Sequence, residues 1–317
     1  MTIKRLSILI PLVMFPLGIW LAYRAFNNRT LAEVVQSLAS IPSVNLALAF
    51  VYAAASYLCL TGFDALGVRY VGHRLSYPKI ALSSFVSLSI GHNVGFAALS
   101  SGPLRYRFYS SFGLGAVEVG EIILFCALTV GLGLISLGGL ALVIRPGFGL
   151  GTIGLTPAVA RGVGVLCLAL ASLYMLLAWR VRQPLHIRGH KFRLPNVQIA
   201  AAQIAVGTAN FAFVAATLYQ LLAGAVGYPE AVAAYVLANA TALVSHVPGG
   251  IGVLEFVIAS LVAKGDVVGA LIAFRIVYFL VPLLLGSTLL AAAEFARWRA
   301  GSVLESRPRQ RRIESRP

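Results

Sequence analysis

The chain has 317 residues, 59% hydrophobic and only 11% charged, with a mean hydropathy of +0.88. A soluble domain carries about 25% charged residues, so a water-soluble globule is excluded and an all-α polytopic membrane protein is predicted. In a soluble chain the net charge of +15 would point to nucleic acid; here the basic residues lie in loops and the tail, so the partner implied is the anionic cytoplasmic lipid surface and no nucleic acid.

In chain order, Lys4 and Arg5 precede an apolar run at 6–23. It is longer than a signal-peptide core, carries Pro11 and Pro16 and lacks a clear cleavage site, so it reads as a retained first span. Residues 30–40 suit a short amphipathic helix at the outer interface. Further apolar runs cover 44–63, 117–144, 159–179, 197–225 and 267–290, each reaching the roughly 20 residues of one bilayer crossing. Two runs are flawed: 80–101 breaks at Gly91-His92-Asn93 and Gly95, and 231–263 breaks within "SHVPGGIGVLE", 245–255. Residues 297–317 form a basic tail, predicted to be disordered.

Charge in the loops sets the topology. Loop 64–79 holds Arg69, Arg74 and Lys79, loop 180–195 holds Arg180, Arg182, Arg188, Lys191 and Arg193, and the tail has seven Arg. The positive-inside rule wants all three regions, and Lys4 with Arg5, in the cytoplasm. Six full spans plus two re-entrant hairpins satisfy the rule throughout; broken hairpins that cross fully are the other arrangement. With the hairpins re-entrant, one transmembrane domain over 1–296 divides into halves of about 1–150 and 151–296, each reading span, span, hairpin, span. Three crossings per half make the repeat inverted, an arrangement typical of transporters with broken helices at the midplane. "SIGHNVG" and "VSHVPGG" share a Ser and an H-x-x-G.

The chemistry concentrates at those breaks. In "SGPLRYRFYSSFGL", Arg105 and Tyr109 are i, i+4 neighbours on a helix, a spacing that suits stacking, and an arginine fork holds a phosphate oxygen pair. Ordinary interfacial anchoring by Arg and aromatic residues explains part of the same pattern. In the second break Pro248 removes a donor, and Gly249, Gly250 and Gly252 permit non-helical backbone, which survives at membrane depth only when buried in protein or lining water. Small-residue helix packing is the plainer reading of that stretch. Glu118, Glu121, Glu255, Arg275, His92 and His246 are ionisable groups inside apolar runs, each costly there without a partner. Arg275 needs one, and Glu255 is the first choice, as a structural pair or as part of a proton path.

Other patterns carry little. Gly149-Leu-Gly151-Thr-Ile-Gly154 fits G-x-G-x-x-G in a loop between spans, without a βαβ unit. No Walker A, H-E-x-x-H or G-x-S-x-G is present, so no ATP hydrolysis, no cofactor and no catalytic residue is expected. His186 and His190 lack further ligands for a metal, and Cys59, Cys126 and Cys167, all inside apolar runs, read as small hydrophobes.

The stretches "GHNVGFAALSSGPLRYRFYSSFGL" and "LVSHVPGGIGVLE", in this order, resemble the signature regions of the lysyl-phosphatidylglycerol synthase/flippase membrane family. That family includes the flippase half of the multiple peptide resistance factor and stand-alone members; the resemblance spans most of 6–290. It implies a bacterial inner-membrane protein that translocates a phospholipid, plain or aminoacylated, between leaflets. Position by position it singles out Gly91, His92, Asn93, Gly95, Ser100, Gly102, Arg105, Tyr106, Arg107 and Tyr109, then Ser245, His246, Pro248, Gly249, Gly250, Gly252 and Glu255. Of these, His92, Asn93, Arg105, Tyr106, Arg107, Tyr109, His246, Pro248, Gly249, Gly250 and Glu255, with Arg275, are the expected lipid path: Arg105 and Arg107 on the lipid phosphate, Glu255 on a cationic headgroup or a gate. The aminoacyl-transferase domain of bifunctional members is not read here, so lipid synthesis is not expected. A membrane enzyme acting on headgroups, with His92 or His246 as base, and a non-catalytic partner of a lipid synthase are the alternative readings.

Overall fold

The computed structural model describes residues 31–94, 100–147, 156–181, 185–187, 190–192, 194–245, 250–262 and 267–305. The expected first span at 6–23 and the tail beyond 305 lie outside the described residues. The chain is all-α and polytopic. In order come Leu31–Ser40 (α1), Ser43–Tyr70 (α2), Tyr77–Val94 (α3), Gly102–Ser111 (α4), Ala116–Ile144 (α5), Pro157–Arg180 (α6), Val197–Leu221 (α7), Tyr228–Ser245 (α8), Val253–Leu261 (α9) and Val267–Phe274 (α10). A π-helical turn, Arg275–Leu280, then leads into Val281–Glu305 (α11). Among the described residues, helices α2, α5, α6 and α7, and the continuous stretch Val267–Arg297, are the five long and apolar enough to cross a membrane.

Among the described residues, each interrupted segment contributes a longer and a shorter helix. At 1.5 Å per residue, α3 and α8 are about 27 Å long, whereas α4 and α9 reach only about 15 Å, half of a hydrocarbon core. Pro103 stands at the start of α4, where its missing N–H costs nothing. Gly250 and Gly252 have φ of +59° and +84°, a left-handed backbone that L side chains avoid, so this turn before α9 depends on glycine.

Two expectations about loops change. Asp64 is not in a loop: α2 runs on to Tyr70, because Ala65, Leu66 and Val68 continue the apolar pattern and a buried partner neutralises the acid. Within the basic stretch 180–195, three-residue strands β1 (Leu185–Ile187) and β2 (His190–Phe192) pair antiparallel, with Ile187 opposite His190 and His186 opposite Lys191. His186 and His190 are therefore on different strands and are not register partners.

The distribution of polarity is that of a membrane protein. Ser56, Asp64, Ser84, Arg105, Gln203 and Asn210 are buried, while Val44, Leu58, Val117, Leu124 and Leu166 are exposed. Lipid accepts the apolar exterior, and the helices satisfy each other's polar groups inside. The helices close up where side chains vanish: a Cβ on Gly207 of α7 would lie 2.7 Å from the Thr129 carbonyl oxygen of α5.

Helix α2 packs on α7, α3 on α11 and α8 on α5. Both α3 and α8 open with Tyr-Pro, and each tyrosine hydroxyl reaches back sixteen residues: Tyr77 to the Thr61 hydroxyl (2.7 Å), Tyr228 to the Ala212 carbonyl (3.0 Å).

Candidate functional site

The first break is held by Asp64. An isolated charge at the centre of a membrane helix costs about 2.5–3.5 kcal/mol on insertion scales, and this carboxylate is fully buried. Arg105 of α4 donates to it twice, from Nε (3.0 Å) and Nη2 (2.7 Å), Tyr109 donates its hydroxyl at 2.9 Å, and Ser84 of α3 at 2.7 Å. The Cys126 thiol of α5 lies 3.9 Å away. The third arm of Arg105, Nη1, donates to the Ser101 hydroxyl at 3.1 Å. One acid thus ties α2 to the short helix after the break and to α3. Spacing four apart brings Arg105 and Tyr109 to the same face as expected, but they meet on Asp64. With its side chain 1% exposed and doubly bonded to Asp64, Arg105 pins α4 in this structure.

The second break is held by the opposite arrangement. Here the short helix carries the acid and the span carries the base. Glu255 Oε2 accepts the Gly252 N–H at 2.8 Å, capping α9, and Oε1 accepts Arg275 Nε at 2.5 Å. Arg275 Nη2 donates to the Gly250 carbonyl at 3.1 Å, and its guanidinium lies 4.7 Å from the Phe279 ring centre. The partner expected for Arg275 is the one it has. This pair is more open than the first, with Glu255 28% and Arg275 10% exposed.

Residues flanking both breaks contact the π turn. Widening a helix by one residue displaces carbonyls from their usual partners, and two of them accept side chains from other helices. Tyr57 of α2 donates to the Tyr278 carbonyl at 3.3 Å, and Asn93, at the end of α3, donates to the Phe279 carbonyl at 3.3 Å. The Tyr278 hydroxyl shares a 2.8 Å hydrogen bond with Ser56, which donates to Asn210 Oδ1 at 2.8 Å. His92 packs edge-on to Tyr57, ring centres 6.2 Å apart, and its Nδ1 is buried without a hydrogen-bond partner among the described residues. The turn that holds Asn93 therefore begins with the Arg275 that holds Glu255.

The remaining expected residues fall elsewhere. Tyr106 is 49% exposed. Arg107 donates to Glu294 of α11 from Nε at 2.9 Å and also from Nη2. His246, Pro248 and Gly249 lie outside the described residues, as does Gly95. Glu118 caps α5 by accepting the Gly115 N–H at 2.7 Å and meets His73 Nε2 at 2.8 Å, so it is a surface group. Among the described residues no three His, Cys, Asp or Glu gather as metal ligands.

Sequence reasoning missed Asp64, Ser56, Asn210, Tyr278 and Glu294. Asp64 left a signal, an acid followed at once by the apolar Ala65 and Leu66. Ser56, Asn210 and Tyr278 left none, since a lone Ser, Asn or Tyr is ordinary in a span.

No protein-family model matches the chain. Two proteins resemble it over most of their length. A Synechocystis protein named uncharacterized protein slr0712 is 31% identical over 275 residues, 84% of this chain and 85% of that protein. Inner membrane protein YbhN of Escherichia coli is 29% identical over 236 residues, 73% of this chain and 74% of YbhN. With its apolar helices and inward-facing polar groups, the chain is a membrane protein, and it belongs to the family of slr0712.

Proposed function

We propose that the chain moves a phospholipid, plain or aminoacylated, between the leaflets of the bacterial inner membrane without hydrolysing ATP. The observation that carries this reading is the contact of residues flanking both breaks with one π turn, through Asn93 on one side and Arg275 with Glu255 on the other. Broken helices and polar side chains at such a junction offer a headgroup hydrogen-bond partners that a bundle of plain helices lacks. The resemblance of both breaks to the flippase family supports the same reading, as do the matched Tyr77 and Tyr228 contacts for an inverted repeat. The activity is transport rather than catalysis.

The test is reconstitution into vesicles holding fluorescent phospholipids, followed by chemical bleaching of the outer leaflet. Vesicles with protein lose more than the outer-leaflet half of the signal. Loss equal to that of protein-free vesicles, across zwitterionic, anionic and aminoacylated lipids, sinks the proposal. The inverted topology places both termini and loop 180–195 in the cytoplasm; cysteines introduced there in a cysteine-free background should resist an impermeant reagent added to spheroplasts.

A further inference from the structure

Where α4 ends against the last span, Arg107 and Arg297 gather about Glu294, and Lys79 lies over Phe112, the residue that follows α4. Arg107 holds Glu294 through two nitrogens, Arg297 Nη1 lies 3.6 Å from Glu294 Oε1, and Arg297 Nη2 donates to the Ser111 hydroxyl at 3.5 Å. Two aromatic faces bed the outer cations: the Arg297 guanidinium is 5.0 Å from the Phe108 ring centre, and Lys79 Nζ is 5.2 Å from that of Phe112. The cluster is half open, with Arg107 and Glu294 each 23% and Arg297 38% exposed. Asp64, by contrast, is sealed.

A carboxylate held by an arginine fork presents two oxygens as a phosphodiester does. Glu294 thus stands where a phosphate would sit, and three cations leave positive charge beyond what it neutralises. The surroundings favour a lipid over a free anion. Phe295, the next residue along the helix, is exposed, as are Leu285 and Leu289 further round it, so the cluster sits on a helix whose other faces border the acyl chains. The basic tail follows directly in the sequence.

We propose that Arg107, Arg297 and Lys79 form the entry site for the phosphate of an anionic phospholipid, and that Glu294 occupies this site until a headgroup displaces it. The choice of a lipid as ligand rests on the translocation reading; the site itself is tested by binding alone. Full-length protein in neutral detergent is titrated with fluorescent phosphatidylglycerol and phosphatidylcholine, with glycerol phosphate as a soluble competitor. The expected result is that R107Q/R297Q weakens phosphatidylglycerol binding by about fivefold per cation removed. E294Q tightens it, and phosphatidylcholine binds weakly and unchanged in every variant. R107K/R297K, which keeps charge but loses the forks, falls between, and guards against a glutamine variant that fails to fold. Unchanged phosphatidylglycerol binding in folded R107Q/R297Q, or no gain in E294Q, overturns the site. Full competition by glycerol phosphate at lipid-equivalent concentration overturns the lipid as ligand. Normal binding without leaflet exchange defeats the translocation reading and leaves the site standing.

Discussion

The Asp64 to Arg105 contact is the place where one substitution reaches furthest. Asp64→Asn keeps the shape and removes the charge. Arg105 then keeps its full charge at 1% exposure, and the carboxamide turns an N–H₂ toward donors where an oxygen had accepted. Removing one partner of a buried pair costs about 3–5 kcal/mol, because the surviving ion is uncompensated. An ordinary interhelical hydrogen bond in a membrane is worth about 0.6–2 kcal/mol. At about 2 °C of melting temperature per kcal/mol, Asp64→Asn should lower the Tm of protein in nanodiscs by about 6–10 °C. Arg105→Gln should cost a similar amount, leaving the carboxylate with Tyr109 and Ser84 alone. The double variant removes both charges and should cost less than the sum of the two, with a coupling of at least about 2 kcal/mol. Strictly additive losses, or single variants within a degree of the parent, would refute the view that a buried ion pair pins α4.

Three further outcomes follow from particular contacts. Glu255→Gln meets a more exposed partner, so its Tm loss should be smaller than that of Asp64→Asn, while leaflet exchange falls; equal or larger destabilisation would show that the second break is as rigid as the first. Gly207→Val drives a side chain into the Thr129 carbonyl of α5 and should cost about 1–3 kcal/mol or more; Gly120→Ala, with nothing within 4 Å, is the neutral control, and equal Tm values for the two would count against the close approach of α5 and α7. Asn93→Ala takes the donor from the Phe279 carbonyl, so hydrogen exchange over 274–284 should speed up; an unchanged rate means that the π turn is held without α3.

The sequence by itself determined the class and the punctuation of this protein. Runs of apolar residues at span length leave the backbone no choice but helix in lipid, so α2, α5, α6 and α7 follow from local composition, and the Gly-rich stretch marks the second break because glycine readily takes the left-handed turn at Gly250 and Gly252. Arg275 was legible as a charge that needs a partner, and Glu255 as that partner, since both are rare in such a setting. What Arg105 does was not legible. Its partner is 41 residues away on a helix whose end composition alone placed too early, and only packing shows that Asp64 and Arg105 seal each other from lipid and water. The same holds for Ser56, Asn210 and Tyr278, ordinary residues that become a network because three helices place Asn210 Oδ1 and the Tyr278 hydroxyl each 2.8 Å from the Ser56 hydroxyl. Local sequence sets where a chain in lipid must be helical and where it must break; which buried polar groups neutralise which is a property of the assembled bundle, because each partner is supplied by a different helix.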